Sequence, residues 1–374
     1  MAERSERTRL GALDALRGFA AIGVSVFSHF QHFGGDKKTY PYRGTILAGW
    51  LYDYSWLFVD LFFLVSGVVF TYQYFEPIST RRIGWRDFFT LRMSRLYPLH
   101  VATLLACAAV EWTLEAQHKA LVIYERADVY HFFLQLFYLH TWLERGWSFN
   151  EPSWSVCGEV FVYALFFYFC WCHAKAFPVA CGLIVFLGME VQTAWPAPIL
   201  NENIARAMVG FFAGALLLQG IQAADRAGHG ARLGLASLGV LTVGGVLAWK
   251  IGYAQWIGMN ALPHVLVVFP LVIVTVLRVE PIAWALSARP FAFLGDISYA
   301  VYLMHVPLQM VTIALTRAYG IRLPITDPRL LWGYMAVLVA ASAAVHYGFE
   351  RPTRRWLRRK WLQRTAEQVP AHPV

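Results

Sequence analysis

The chain has 374 residues, of which 58% are hydrophobic and only 15% charged, with a mean hydropathy of +0.46. A soluble domain is nearer roughly 45–50% apolar and 25% charged, so this composition excludes a water-soluble enzyme and describes a polytopic membrane protein. The net charge of +9 does not describe a nucleic-acid surface, because Lys and Arg gather in loops between apolar runs, where they act as orientation signals.

Apolar segments of spanning length lie near 13–33, 54–75, 97–114, 157–174, 177–193, 204–221, 233–253, 262–279, 291–316 and 330–349. The piece at 131–142, HFFLQLFYLHTW, is too short to span and too apolar for an open loop. The expected fold is all-α, with about ten transmembrane helices and one additional short re-entrant or interfacial helix. The N-terminal residues 1–12, one transmembrane domain at 13–350 and a basic tail at 351–374 make up the chain. Arginines crowd the 76–95 loop and the tail, so the positive-inside rule puts both on the cytoplasmic side with both termini. No small-x-small cleavage site follows the first apolar run, which is therefore read as the first span. Five cysteines form no CxxC pair, and no helix carries two histidines at metal-ligand spacing, so neither a zinc site nor any other metal site is expected.

Ionisable groups inside spans are costly and mark function. In the first span, LDALRGFAAIGVSVFSHFQH, Arg17 and His29 stand at opposite ends of an uncharged run, roughly 18 Å apart at helical rise. Such a helix suits chemistry that joins the two membrane faces; the alternative is that both side chains merely reach the interfaces. Asp60, in LFVDLFFLVSG, lies at a depth matching His29 in an antiparallel neighbour. Pairing of the two is the expectation, with the carboxylate fixing the tautomer of the ring; a different partner or a wet cavity is the alternative. Arg92 and Arg95, in LRMSRLYPLH, share a helix face, and Pro98 is expected in the first turn of the third span. Two forked donors at the cytoplasmic mouth suit the phosphates of a nucleotide or coenzyme, and equally suit anionic lipid.

In NEPSWSVCGEVFVY, Ser155, Glu159 and Tyr163 form an i, i+4, i+8 stripe beside Trp154. The stripe fits a cavity lining in which Glu159 orients a hydroxyl or holds Arg or His; a hydrogen-bonded helix clasp fits as well. Ser298, Tyr302 and His305, in ISYAVYLMHVP, repeat the pattern, and Pro307 is expected to kink the span and free carbonyls beside His305.

Together LDALRG with its downstream His, FVDLFFLVSG, RMSRLYPL, WSVCGEVFVY, FLGDISYAVYLMHVPL and FERPTRRWLRR resemble, in order, the membrane-bound acyltransferase-3 family. The resemblance covers nearly the whole chain. It implies transfer of an acyl group, usually acetyl, from acyl-CoA to a hydroxyl of a sugar, glycan or glycosylated metabolite. The setting implied is a bacterial cytoplasmic (inner) membrane. No bound cofactor is implied. Acyl-CoA is the co-substrate, a carbohydrate the acceptor, membrane lipid the surroundings, and glycan-assembly proteins the candidate partners; nucleic acid is not expected. The resemblance implies acyl-CoA contacts for Arg17, Arg92 and Arg95 and catalytic roles for His29 and Glu159, to which the matching depth adds Asp60 as the residue that steadies His29. Trp154, Ser155, Tyr163, Ser298, Tyr302 and His305 are the expected cavity or acceptor contacts. The esterase-like domain fused to some members has no counterpart here. A ternary complex is the expected mechanism, with a covalent acyl-His or acyl-Ser intermediate as the alternative.

One departure concerns the first span. The family commonly has ten residues between the Arg and the His, and this chain has eleven. At about 100° per residue the extra one turns His29 off the expected face. A π-bulge would absorb it; in a regular helix His32 would be the next candidate. The rival function is a transporter or flippase for a lipid-linked sugar or small metabolite, against which no inverted repeat is visible.

Overall fold

The computed structural model describes residues 2–116, 120, 122–143, 147–193, 200–250 and 261–361. Sixteen α-helices can be followed among them: α1 Ala2–Ile22, α2 Ile46–Tyr54, α3 Phe58–Ser79, α4 Trp85–Ala116, α5 Val129–Leu136, α6 His140–Leu143, α7 Trp154–Cys172, α8 Phe177–Thr193, α9 Glu202–Arg226, α10 Gly230–Lys250, α11 Phe269–Arg278, α12 Glu280–Leu286, α13 Arg289–Asp296, α14 Ser298–Ala318, α15 Pro328–Val345 and α16 Arg351–Trp361. No strand occurs among the described residues. Nine helical segments there are long and apolar enough to cross a membrane, and a tenth is His264–Arg278 with Glu280–Leu286, bent by 92°. This is an all-α integral membrane protein, as the composition requires.

The most extensive contact is α3 against α9, and glycine makes it close. A Cβ at Gly67 would stand 1.8 Å from the Phe211 carbonyl oxygen, and one at Gly214 2.1 Å from that of Leu64. Lipid supplies no hydrophobic drive between helices, so backbone approach through small residues is what holds such a pair. Around it, α7 and α8 pack on α9, while α1 lies against α13 and α14. The core between them is aromatic: Phe70 stacks on Tyr163 at 4.2 Å and meets Phe211 edge-on at 5.5 Å.

The apolar piece 131–142 forms α5 and α6, two short helices that do not span. Phe133, Phe137 and Leu139 are exposed, as an interfacial position demands. The segment is pinned beneath by buried polar groups. Gln135 Nε2 donates to the Ser148 carbonyl at 2.6 Å, and Asn150 Nδ2 donates to Thr103 Oγ1 at 3.0 Å and to the Leu303 carbonyl at 3.1 Å. Leu303 is the residue whose carbonyl Pro307 cannot satisfy, four positions on in α14. The carbonyl that proline frees is thus one of the acceptors that tie Asn150 to the bundle. α14 itself continues through Pro307 to Ala318.

One helix start differs from expectation. Pro98 is not in a first turn, because α4 already begins at Trp85. The charged stretch RDFFTLRMSR is helical, its arginines carried on the helix rather than on a loop.

Candidate active site

The extra residue between Arg17 and His29 is taken up by one π-helical turn, Gly23–Phe27, followed by a 3₁₀ turn, Ser28–Phe33. The Ser28 amide reaches back to the carbonyls of both Gly23 and Val24. A widened turn disturbs the carbonyl ladder, and in an apolar layer each carbonyl needs a partner. Ser55 Oγ donates to the Gly23 carbonyl at 2.8 Å, and Tyr334 Oη donates to the Ser25 carbonyl at 3.3 Å. Side chains from two other segments therefore hold the turn open.

His29 emerges from this turn against His305. Nδ1 of His305 lies 2.5 Å from the Tyr302 carbonyl, and its Nε2 lies 3.1 Å from Nδ1 of His29. A carbonyl can only accept, so Nδ1 of His305 carries the proton. In the neutral ring Nε2 is then an acceptor, and His29 donates to it from Nδ1. The lone pair of His29 is left on Nε2. The two rings stack at 4.8 Å, and His32 stacks with His29 at 5.0 Å. Gln309 clamps the pair: its Nε2 donates to the His29 carbonyl at 3.0 Å, and its Oε1 accepts from His32 Nδ1 at 2.8 Å.

Asp60 is not the partner of His29. Its carboxylate receives a bidentate pair from Arg206, Nε to Oδ1 at 3.0 Å and Nη2 to Oδ2 at 2.8 Å. The Arg206 guanidinium lies between Trp56 and Trp154, 5.2 and 5.0 Å from the ring centroids. Asp60 is 1% exposed, so a fork-shaped donor that satisfies both oxygens outcompetes a single imidazole N–H.

Two cavities flank this constellation. One, of about 310 Å³, is lined by His29, His32, Trp56, Tyr124, Trp147, Glu151, Trp154, Arg206 and Tyr302. The other, of about 70 Å³, is lined by Arg17, Arg92, Arg95, Ser155, Glu159, Tyr163, Ser298 and Tyr302. Tyr302 lines both, its hydroxyl donating to the Pro152 carbonyl at 2.9 Å and accepting from Ser155 Oγ at 3.0 Å. Eleven of the twelve predicted site residues thus line a cavity or, in the case of Asp60, hold one that does; His305 stands behind His29 as its hydrogen-bond partner. Glu159 faces the arginines and not the histidines, with Arg17, Arg95 and Arg92 as its charged neighbours. Arg17 also pairs with Asp14 at 3.3 Å. Arg92 is buried, donates from Nη2 to the Tyr74 hydroxyl, and lies 4.7 Å over the rings of Phe70 and Tyr74.

The full length of the arrangement matches a family model. Residues 10–347 fit the acyltransferase-3 model, described as an acyltransferase domain. The chain belongs to the acyltransferase-3 family. It is an integral membrane protein that carries the acyltransferase-3 domain. Over 106 residues, 28% of this chain, it is 33% identical to "Protein 2 in picA locus" of Rhizobium radiobacter, and it spans 48% of that relative's length. No solved structure matches.

Sequence reasoning missed Arg206, Gln309 and, in the aromatic wall of the larger cavity, Trp56, Tyr124 and Trp147. A lone Arg inside the apolar run ENIARAMVGFF was the available signal for the first, since a charge within a span implies a partner. Gln309 and Trp147 carry no such mark.

Proposed function

We propose that this acyltransferase moves an acyl group, most simply acetyl, from acyl-CoA to a hydroxyl of a sugar or glycan. The observation that carries the reading is the pair of cavities meeting at Tyr302: one lined by three arginines, the other by a histidine whose lone pair is on Nε2. Guanidinium forks suit the diphosphate and 3′-phosphate of the coenzyme. Aromatic rings around a polar floor, as Trp56, Trp147, Trp154 and Tyr124 form, suit the apolar faces and polar rims of a sugar. The Arg206 charge is neutralised by Asp60, which favours a neutral acceptor.

In the step proposed, the acceptor oxygen attacks the thioester carbonyl carbon as its proton passes to Nε2 of His29. The C–S bond breaks, an ester forms, and the thiolate leaving group takes the proton back as free CoA. His305 steadies the imidazolium through Nδ1 of His29. No covalent enzyme intermediate is required. The arginine-rich loop and tail support a cytoplasmic donor side and a bacterial inner-membrane setting. Glycan-assembly proteins would then supply the acceptor on the opposite face.

The test uses purified protein in phosphatidylcholine nanodiscs, radiolabelled acetyl-CoA and the total glycan extract of the source cells. Free CoA release matched by label in the glycan fraction is expected. In sealed phosphatidylcholine liposomes of the same protein, movement of a sugar across the bilayer without CoA release would identify a transporter instead.

A further inference from the structure

Asp60 takes only part of what Arg206 offers. The two residues face each other across the α3–α9 seam, where a Cβ at Gly210, one turn beyond Arg206, would stand 3.2 Å from the Asp60 carbonyl oxygen. Asn201 caps the start of α9, its side chain accepting from the Ile204 amide at 3.1 Å, and Arg206 follows in the second turn. Nε and Nη2 form one edge of the planar guanidinium, and that edge meets the carboxylate at 3.0 and 2.8 Å. A guanidinium carries five N–H donors in a fixed fork, so three remain, two on Nη1 and one on Nη2. No hydrogen bond uses them among the described residues.

The unused edge is not sealed in the packing. The Arg206 side chain is 12% exposed, against 1% for Asp60, and it lines the larger cavity together with His29 and Tyr302. Trp56 and Trp154 hold the guanidinium 5.2 and 5.0 Å from their ring centroids, and the two-point contact with Asp60 fixes its plane. A clasp between helices needs no more than the edge Asp60 takes. The other edge carries two parallel N–H groups, which suit two neighbouring oxygens. Its charge is already met by Asp60, with Glu202 a further acidic neighbour one turn earlier. An anion therefore gains little there, whereas two adjacent hydroxyls on a neutral ring supply acceptors with no charge to desolvate.

We infer that Arg206 is the recognition residue of the acceptor site, its free edge donating to two vicinal hydroxyl oxygens of a neutral sugar. The inference rests on the acyl-transfer reading above and adds to it one residue and one substrate feature, a neutral ring with adjacent hydroxyls. Donation from Arg206 orients the ring, and a further hydroxyl is left to meet Nε2 of His29. Asp60, buried behind the guanidinium, is then a positioning residue that presents the edge. An acidic sugar offers a carboxylate with related two-oxygen geometry, and the experiment separates the two.

Wild type, R206K and D60N/R206Q are compared in phosphatidylcholine nanodiscs, with thermal unfolding used to establish that each is folded. Lysine keeps a charge for Asp60 without a second edge, and the Asn–Gln pair removes both charges together. The acceptors are the neutral and acidic fractions of the source-cell glycan extract, and the neutral fraction after periodate cleavage and borohydride reduction. That treatment destroys vicinal diols and leaves hydroxyls. Wild type is expected to acetylate the neutral fraction, with its KM for that fraction raised about tenfold or more by the treatment. Both variants should show a KM for untreated glycan raised by a similar factor, an unchanged KM for acetyl-CoA, and no preference for untreated over treated glycan. Wild type that uses the two glycans alike overturns the inference, and this arm decides even where a variant fails to fold. Folded variants that keep the wild-type KM and preference, or that raise both KM values equally, overturn it in favour of a plain helix clasp. Label confined to the acidic fraction overturns the neutral ring. Wild type that binds acetyl-CoA and labels no glycan overturns the acceptor reading, and this inference with it.

Discussion

Because the Tyr302 carbonyl can only accept, the proton on His305 is fixed at Nδ1, and that choice passes to His29 through their 3.1 Å contact. A base of this kind needs its lone pair on the nitrogen that meets the substrate, and the His305 contact selects that tautomer. His305→Ala is therefore expected to lower kcat by about ten- to a hundredfold, a fraction of what a positioned base contributes, with the KM for acyl-CoA unchanged. His305→Gln, which can still accept from His29, should recover part of the loss; equal changes in kcat and KM would instead mean general damage to the fold. Asp60→Asn tests the other buried pair. Removing one partner of a buried ion pair costs about 3–5 kcal/mol, so a large drop in thermal stability is expected, with the His29–His305 contact retained. An unaltered melting temperature would contradict the role given to Asp60. The polar residues themselves were legible, since each stands out in an apolar run. Their pairing was not. Sequence gives depth along each helix but not azimuth, so depth pointed to His29 for Asp60, and only the packing of α3 on α9 brings Arg206 to it instead.

The helices differ in how far their sequences announce them. The π turn at Gly23–Phe27 was legible only through the family resemblance, which sets ten residues between the Arg and the His where this chain has eleven; a regular helix was the alternative. Pro98 misled, because charge in RDFFTLRMSR reads as loop, whereas membrane helices often extend into the interface with charged turns. The α3–α9 seam, by contrast, carries its signal in Gly67, Gly210 and Gly214, and its closeness is open to test. Gly214→Ala places a methyl 2.1 Å from the Leu64 carbonyl, so the helices must part, at a cost of about 1–3 kcal/mol for overpacking. A lowered melting temperature and reduced kcat are expected, since the seam also sets Asp60 against Arg206. Gly244→Ala, whose added carbon meets nothing within 4 Å, should be neutral or stabilising by up to about 1 kcal/mol. Matching effects at the two sites would contradict the packing argument.

Across the whole molecule, span number and helical class follow from hydropathy, and so did the short pair α5–α6. The anchoring of Asn150 did not, because it depends on a carbonyl freed by Pro307 on a helix far away in sequence. Residues before it in the chain matter, as Tyr124 and Trp147 add aromatic rings to the larger cavity. Under the proposed function the smaller cavity is the donor side and the larger the acceptor side, meeting at Tyr302, with His29 serving only the second. His29→Ala separates the two sides in one measurement: CoA binding and single-turnover CoA release, followed on the same folded preparation with the source-cell glycan extract as acceptor. CoA binding as in wild type with release slowed about a hundred- to ten-thousand-fold is the expected result. Near wild-type release from His29→Ala would contradict the base assignment and, with it, the division of the molecule into a donor and an acceptor side.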